Sequence, residues 1–250
     1  GETNLCYNCV DRHLEDRAEQ DAYIWVSTEI NQEMVENYPN IIDSFKKLGD
    51  KVELYNDYAK CRLTYNQLYK EVNYFADVLQ RQGITKGDRV IIYMPMIVEA
   101  AIAMLACVRI GAIHSVVFGG FAPQNLAVRM DDAEANMIIT ADAGLRGGPL
   151  INYHQLVKNA VEIATVKPES VILVNRGIMA FTPESYEVDY ATERAKSVEN
   201  NAKVDCVWLE SNEPSYLLYT SGTTGTPKGV QRDTGGHAVA LTTSIDMIYD

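Results

Sequence analysis

From residue 64 to residue 174 the chain alternates amphipathic runs of helical period with short apolar runs bounded by glycine or proline. Few architectures satisfy that alternation other than parallel strands joined by crossover helices. Thr64 to Gln82 reads as a helix. Thr64 and Gln67 have capping-box spacing, Leu68, Val72, Phe75, Ala76 and Leu79 form one stripe, and Gly83 closes it. Val90 to Met94 reads as a buried strand stopped by Pro95, and a helix from about Ile97 to Arg109 is closed by Gly111. The pattern continues with strand Ile113 to Phe118, helix Pro123 to Met130, strand Met137 to Thr140, helix Asn152 to Thr165, strand Val171 to Val174 and a helix around Ser185 to Val198. The expectation is an α/β fold with a mostly parallel sheet and helices on both faces. Residues 28–60 are the least regular part and read as a surface insertion. No internal repeat or low-complexity tract interrupts the chain.

With 250 residues, 47% of them hydrophobic, the chain can fill one large or two modest cores. Its formal net charge of −12 argues against nucleic acid or an anionic membrane surface as a partner. The best apolar run, Ala100 to Val108, falls short of the ~18 residues of a membrane span. Five cysteines, at 6, 9, 61, 107 and 206, form an odd and scattered set that suits a reducing compartment. Cys6 and Cys9 have CxxC spacing, but no second pair follows at zinc-site spacing, so no metal site is expected. The chain opens on Gly1-Glu2-Thr3, which reads as a processed start. The expected location is the cytoplasm, or the mitochondrial matrix if a targeting peptide has been removed.

The chemistry concentrates in Tyr219-Thr220-Ser221-Gly222-Thr223-Thr224-Gly225-Thr226-Pro227-Lys228-Gly229. Gly222 and Gly225 let backbone N–H groups approach an anion, the hydroxyls of Thr220, Ser221, Thr223 and Thr224 add donors, and Lys228 adds a mobile positive charge. The apolar run Pro214 to Tyr219 before it and Val230-Gln231-Arg232 after it read as strands, which makes a strand–loop–strand flap over a polyphosphate. It is not a Walker A loop, because Gly229 stands where that pattern needs Ser or Thr. A plain Ser/Thr/Gly-rich surface turn is the alternative reading.

In these residues the chain resembles the adenylate-forming superfamily of acyl-CoA synthetases, luciferases and peptide-synthetase adenylation domains. Cys6-Tyr7-Asn8, Val10-Asp11-Arg12-His13, Ile92 to Met96, Met104 to Ser115 and Phe118-Gly119-Gly120-Phe121 are similar to its acetyl- and propionyl-CoA synthetase branch. Arg232 to Val239 is closer to the propionyl wording, whereas Ile139 to Asp142 and Ile24-Trp25 are closer to the acetyl wording.

The resemblance implies the large amino-terminal domain of such a ligase and small-molecule substrates: ATP, CoA and a short-chain carboxylate. A carboxylate attacks the α-phosphorus of ATP, and the CoA thiol then displaces AMP. Lys228 would hold the β- and γ-phosphates, with Thr220, Ser221, Gly222, Thr223, Thr224 and Gly225 around them. Phe118, Gly119, Gly120, Arg146 and Ile151 would contact CoA. At Phe118-Gly119-Gly120 a tight turn is the alternative, and at Arg146 a solvated loop arginine. Pro149 departs from the pattern, standing where the family commonly has a second Arg or Lys.

The four histidines, His13, His114, His154 and His237, are dispersed in sequence, and His114 reads as a core residue. No nucleophile elbow or other covalent catalyst is evident. The family's adenine, ribose and magnesium motifs and its carboxy-terminal lid lysine do not occur up to Asp250. The expectation is therefore the amino-terminal portion of a longer ligase, inactive alone, with its magnesium ligands and its lid in the missing carboxy-terminal part. A stand-alone nucleotide- or CoA-binding regulatory module is the second hypothesis.

Overall fold

The computed structural model describes residues 1–37, 52–55, 58–145, 149–220 and 227–249. Its main sheet contains β1 (Arg89–Tyr93), β2 (Ile113–Val116), β3 (Met137–Ala141), β4 (Ser170–Val174), β5 (Glu187–Asp189), β6 (Pro214–Thr220) and β7 (Lys228–Asp233). They lie in the order β5-β4-β3-β1-β2-β6-β7, all neighbours parallel except the β6–β7 hairpin at one edge.

Successive residues of β1 explain why its sequence is apolar from Val90 onward. Val90 and Ile92 enter one core, shared with the Tyr65–Arg81 and Val98–Arg109 helices, while Ile91 and Tyr93 enter the other, under Pro123–Ala133 and Tyr153–Ile163. A strand covered on both faces needs no polar side. The helix read at 64–82 spans Tyr65–Arg81 and carries both halves of its capping box. Gln67 N–H donates to Thr64 Oγ1 at 3.2 Å, and Thr64 N–H donates to Gln67 Oε1 at 2.9 Å. Its predicted stripe is buried, and Gly83 takes φ +88° just beyond its end.

Two expectations change. The helix read at Ser185 to Val198 is a strand first: Glu187–Asp189 adds to the sheet beside β4, and the helix begins only at Tyr190. Asp189 is its N-cap, accepting from Thr192 N–H at 2.8 Å, so its carboxylate ends the strand and starts the helix. Residues 28–60, read as a surface insertion, join a three-stranded antiparallel sheet at both ends: Asp21–Asn31, Tyr58–Thr64 and Val52–Tyr55. Ile30 and Ala59 are fully buried. The sign of that sheet was an alternation over Ala59, Cys61 and Leu63, which point inward, against Lys60 and Arg62. Residues 38–51 and 56–57 lie outside the described residues.

The amino-terminal segment is tied into the same body. Glu2 and Thr3 pair antiparallel with Glu210 and Leu209. Fully buried Asn4 donates from Nδ2 to the carbonyls of Val108, Arg109 and Val207, and its Oδ1 accepts from Tyr7 N–H.

Candidate functional site

The phosphate-loop candidate has the frame read from its flanks. β6 and β7 form a hairpin in which Thr220 faces Lys228 and Tyr219 faces Gly229. Because β6 runs parallel to β2, the loop leaves at the carboxyl end of the parallel strands, where open α/β sheets receive ligands. Thr220 and Lys228, at the two mouths of the loop, are exposed; Ser221, Gly222, Thr223, Thr224 and Gly225 lie outside the described residues.

The root of this hairpin is anchored sideways. Tyr219 donates its phenol hydrogen to Asp132 Oδ2 at 2.7 Å, and burial followed by that bond raises its pKa. The buried guanidinium of Arg129 lies over the rings of both Phe121, at 4.6 Å, and Tyr219, at 5.4 Å. One helix, Pro123–Ala133, thus connects the loop root to the Phe118–Phe121 turn. Sequence reasoning missed Arg129 and Asp132, whose three-residue spacing on one helix is unremarkable without the partner strand.

A cavity of about 260 Å³ opens at the same carboxyl edge, lined among others by Pro95, Met96, Phe118, Gly119, Leu145 and Tyr153. It gathers three segments that the resemblance had singled out. Phe118 projects from the turn, half-exposed, with its edge toward Phe121. Gly119 is sterically required: a Cβ there would stand 2.3 Å from the Tyr153 hydroxyl oxygen. Gly120 donates its N–H to the Phe118 carbonyl, which keeps the turn tight. Tyr93 supports both sides, packing against Tyr153 at 5.3 Å and donating to the Phe121 carbonyl at 2.7 Å.

Ile151 is half-buried in a short hairpin, paired with Gly144 across the ladder. Arg146 lies outside the described residues, and Pro149 is exposed. The base of the hairpin is held by a group that sequence reasoning overlooked. Glu29 Oε2 accepts from Leu145 N–H at 3.0 Å and from Arg176 Nη1 at 3.1 Å, and the same Arg176 nitrogen donates to the Ala143 carbonyl at 2.9 Å. Both Glu29 and Arg176 are buried, so each charge depends on the other. A carboxylate one place before apolar Ile30, inside the strand Asp21–Asn31, was the available signal.

The histidines form no ligand set. His154 meets Glu187 at 3.1 Å and His13 packs on Tyr65. His114 is buried as expected of a core residue, but its Nδ1 has no hydrogen-bond partner, and burial pushes its pKa down to about 4. It stacks on Tyr216, which also meets His237 edge-on. Among the described residues one cluster has metal-ligand spacing, Cys6, Asp11 and Cys206. No helix of the described residues is long and apolar enough to cross a membrane.

A family model for the AMP-binding enzymes matches residues 43–250. The chain is 47% identical over 250 residues to the propionate–CoA ligase of Escherichia coli (strain K12), covering all of this chain and 35% of that protein. It is 41% identical over 258 residues to the acetyl-coenzyme A synthetase of Mesorhizobium japonicum, again with all of this chain and 34% of that protein. Among solved structures, acetoacetyl-CoA synthetase from Streptomyces lividans superposes with a TM-score of 0.67 at 25% identity, over 74% of this chain and 28% of that one. The chain spans about a third of the length of the curated relatives it matches. The loop between β6 and β7 and the match over residues 43–250 converge on one conclusion: the chain belongs to the AMP-binding enzyme family.

Proposed function

We propose that this chain is the amino-terminal part of the large domain of a short-chain acyl-CoA synthetase, which joins acetate or propionate to CoA at the expense of ATP through an acyl-adenylate. The observation that carries this reading is the shared carboxyl edge. The polyphosphate loop and the cavity at Phe118, Gly119 and Leu145 open there, tied together by the Pro123–Ala133 helix.

In this reading Lys228 holds the β- and γ-phosphates and stabilises charge as it moves to pyrophosphate, while Thr220, Ser221, Gly222, Thr223, Thr224 and Gly225 wrap the same oxygens. The nucleotide end of CoA lies along Phe118, Gly119 and Gly120 and against Ile151, and Arg146 meets its phosphates. Neither half-reaction needs a protein nucleophile. Magnesium, in reactions of this class, neutralises phosphate charge. The described residues present no acidic set beside the loop, so no ligand for it is assigned to them. The apolar surface of Leu218, Met247, Ile248 and Tyr249 supports packing against further polypeptide of the same enzyme, which would carry the lid.

The test is acid-dependent exchange of pyrophosphate into ATP by the intact ligase, with acetate and with propionate. Exchange that depends on Lys228 supports the assignment. Nucleotide binding without exchange by an intact chain would favour a regulatory binding module. The 250-residue chain alone is expected to show no exchange above a no-enzyme control.

A further inference from the structure

Cys6 and Cys206 stand near opposite ends of the sequence, yet their Sγ atoms and a carboxylate oxygen of Asp11 lie within 4.8 Å of one another. The fold holds them there. Asn4, two residues before Cys6, donates to the carbonyl of Val207, the residue after Cys206, and the pairing of Thr3 with Leu209 continues the tie. Arg109 completes the cluster, with its fork on Asp11 at 2.8 and 2.9 Å and Nη1 at 3.5 Å from Cys6 Sγ.

The two thiols are unequal. Cys6 is fully buried, and Cys206 is partly open to solvent. The hydrogen bond with Cys6, aided by Arg109, holds the Cys206 thiol below its ordinary range, while the same bond and burial raise Cys6. Among the other cysteines, burial pushes Cys61 up to about 11, Cys107 up to about 12, and Cys9 upward. A metal is a poor occupant, because the cluster offers three ligands and already contains the Arg109 cation.

We propose that Cys206 and Cys6 form a reversible peroxide-sensitive thiol pair that closes into a disulfide. The Cys206 thiolate attacks one peroxide oxygen, forming an S–O bond and breaking O–O, and the departing hydroxide takes a proton to become water. The Cys6 sulfur then attacks the Cys206 sulfur. An S–S bond forms, the S–O bond breaks, and hydroxide leaves with the Cys6 proton as a second water. Two thiols and one peroxide become one disulfide and two waters, and a dithiol reductant reverses the change. The crosslink joins the amino-terminal Leu5–Cys9 helix to the segment that leads into β6, the strand that carries the phosphate loop.

The test is to treat the chain with stoichiometric hydrogen peroxide, block remaining thiols under denaturing conditions, and map peptides without reductant. The expected result is a mass loss of about 2 Da, a dithiothreitol-reversible link between the peptides of Cys6 and Cys206, and a higher Tm for the oxidised form. In Cys6→Ser, oxidation should stop at a dimedone-reactive sulfenic acid on Cys206. In Cys206→Ser, no disulfide should form. Five blocked thiols after treatment of the parent chain would overturn the proposal, as would a link through Cys9. So would uptake of one zinc ion per chain with protection of both thiols.

Discussion

The centre of the main sheet and its β6–β7 edge are built from similar side chains and bury them very differently. In the centre, Phe75, Ile91 and Ile138 are fully buried between the sheet and its helices. At the edge, the Thr234–Ser244 helix and the turn that follows it expose Met247 by 80% and Tyr249 by 77%. Both regions carry large apolar side chains, so the presence of such residues alone does not distinguish a core from an exposed surface. What separates them is that helices cover both faces of the centre, whereas these edge side chains have no layer over them among the described residues.

Four substitutions test that contrast. The largest effect should come from the centre. Phe75→Ala removes a fully buried ring that packs on Tyr190 at 4.4 Å, and should cost about 3–5 kcal/mol in urea unfolding. A loss below about 1 kcal/mol would show that the site collapses and that the centre is no tighter than the edge.

At the edge itself, Lys228→Ala should separate activity from stability. In the intact ligase it should slow adenylate formation by roughly 2–4 kcal/mol of barrier and leave thioester formation from preformed acyl-adenylate nearly unchanged, because only the first step has β- and γ-phosphates to hold. The unfolding midpoint should not move, since Lys228 is exposed. Equal slowing of both half-reactions in single-turnover measurements would remove Lys228 from the phosphates.

His114 sits where the two regions meet, on β2 and against Tyr216 of β6. Its imidazole goes from 6.5 unfolded to about 4 in the fold, so the native state binds fewer protons across that window. Its neutral form therefore stabilises the protein fully above about pH 6.5, and that contribution is lost as pH falls toward about 4. His114→Phe should flatten the dependence of unfolding free energy on pH in this interval. An unchanged slope would mean that solvent reaches the ring and the junction is open.

Smallest of all should be Ile248→Ser, with stability within about 0.5 kcal/mol of the parent and weaker self-association in sedimentation velocity. A large loss would show that the edge already has its cover.

The sequence was most legible where local chemistry and burial agree. Thr64 and Gln67 announce a helix start that the structure reproduces bond for bond, and the two-sided apolar runs announce parallel strands. The flanks of the phosphate-loop candidate were legible too, and they form the hairpin they suggested. Two kinds of feature were not. Short strands such as Glu187–Asp189 or the Gly144–Leu145 hairpin take their form from a neighbour's edge and leave no periodicity of their own. Groups such as Glu29 with Arg176, or Arg129 with Tyr219, acquire meaning only when distant segments meet.

Asn4 and Glu29 carry a practical lesson for anyone trimming this protein. The family-model match begins at residue 43, which invites a truncation there, although similarity to the relatives spans the whole chain. Yet Asn4 bolts the Val98–Arg109 helix to the run-in of β6, and Glu29 neutralises a buried arginine at the cavity. Cutting at that boundary would leave carbonyls and a guanidinium stranded inside the body. The stretch that the family model matches is therefore shorter than the body that these buried contacts tie together.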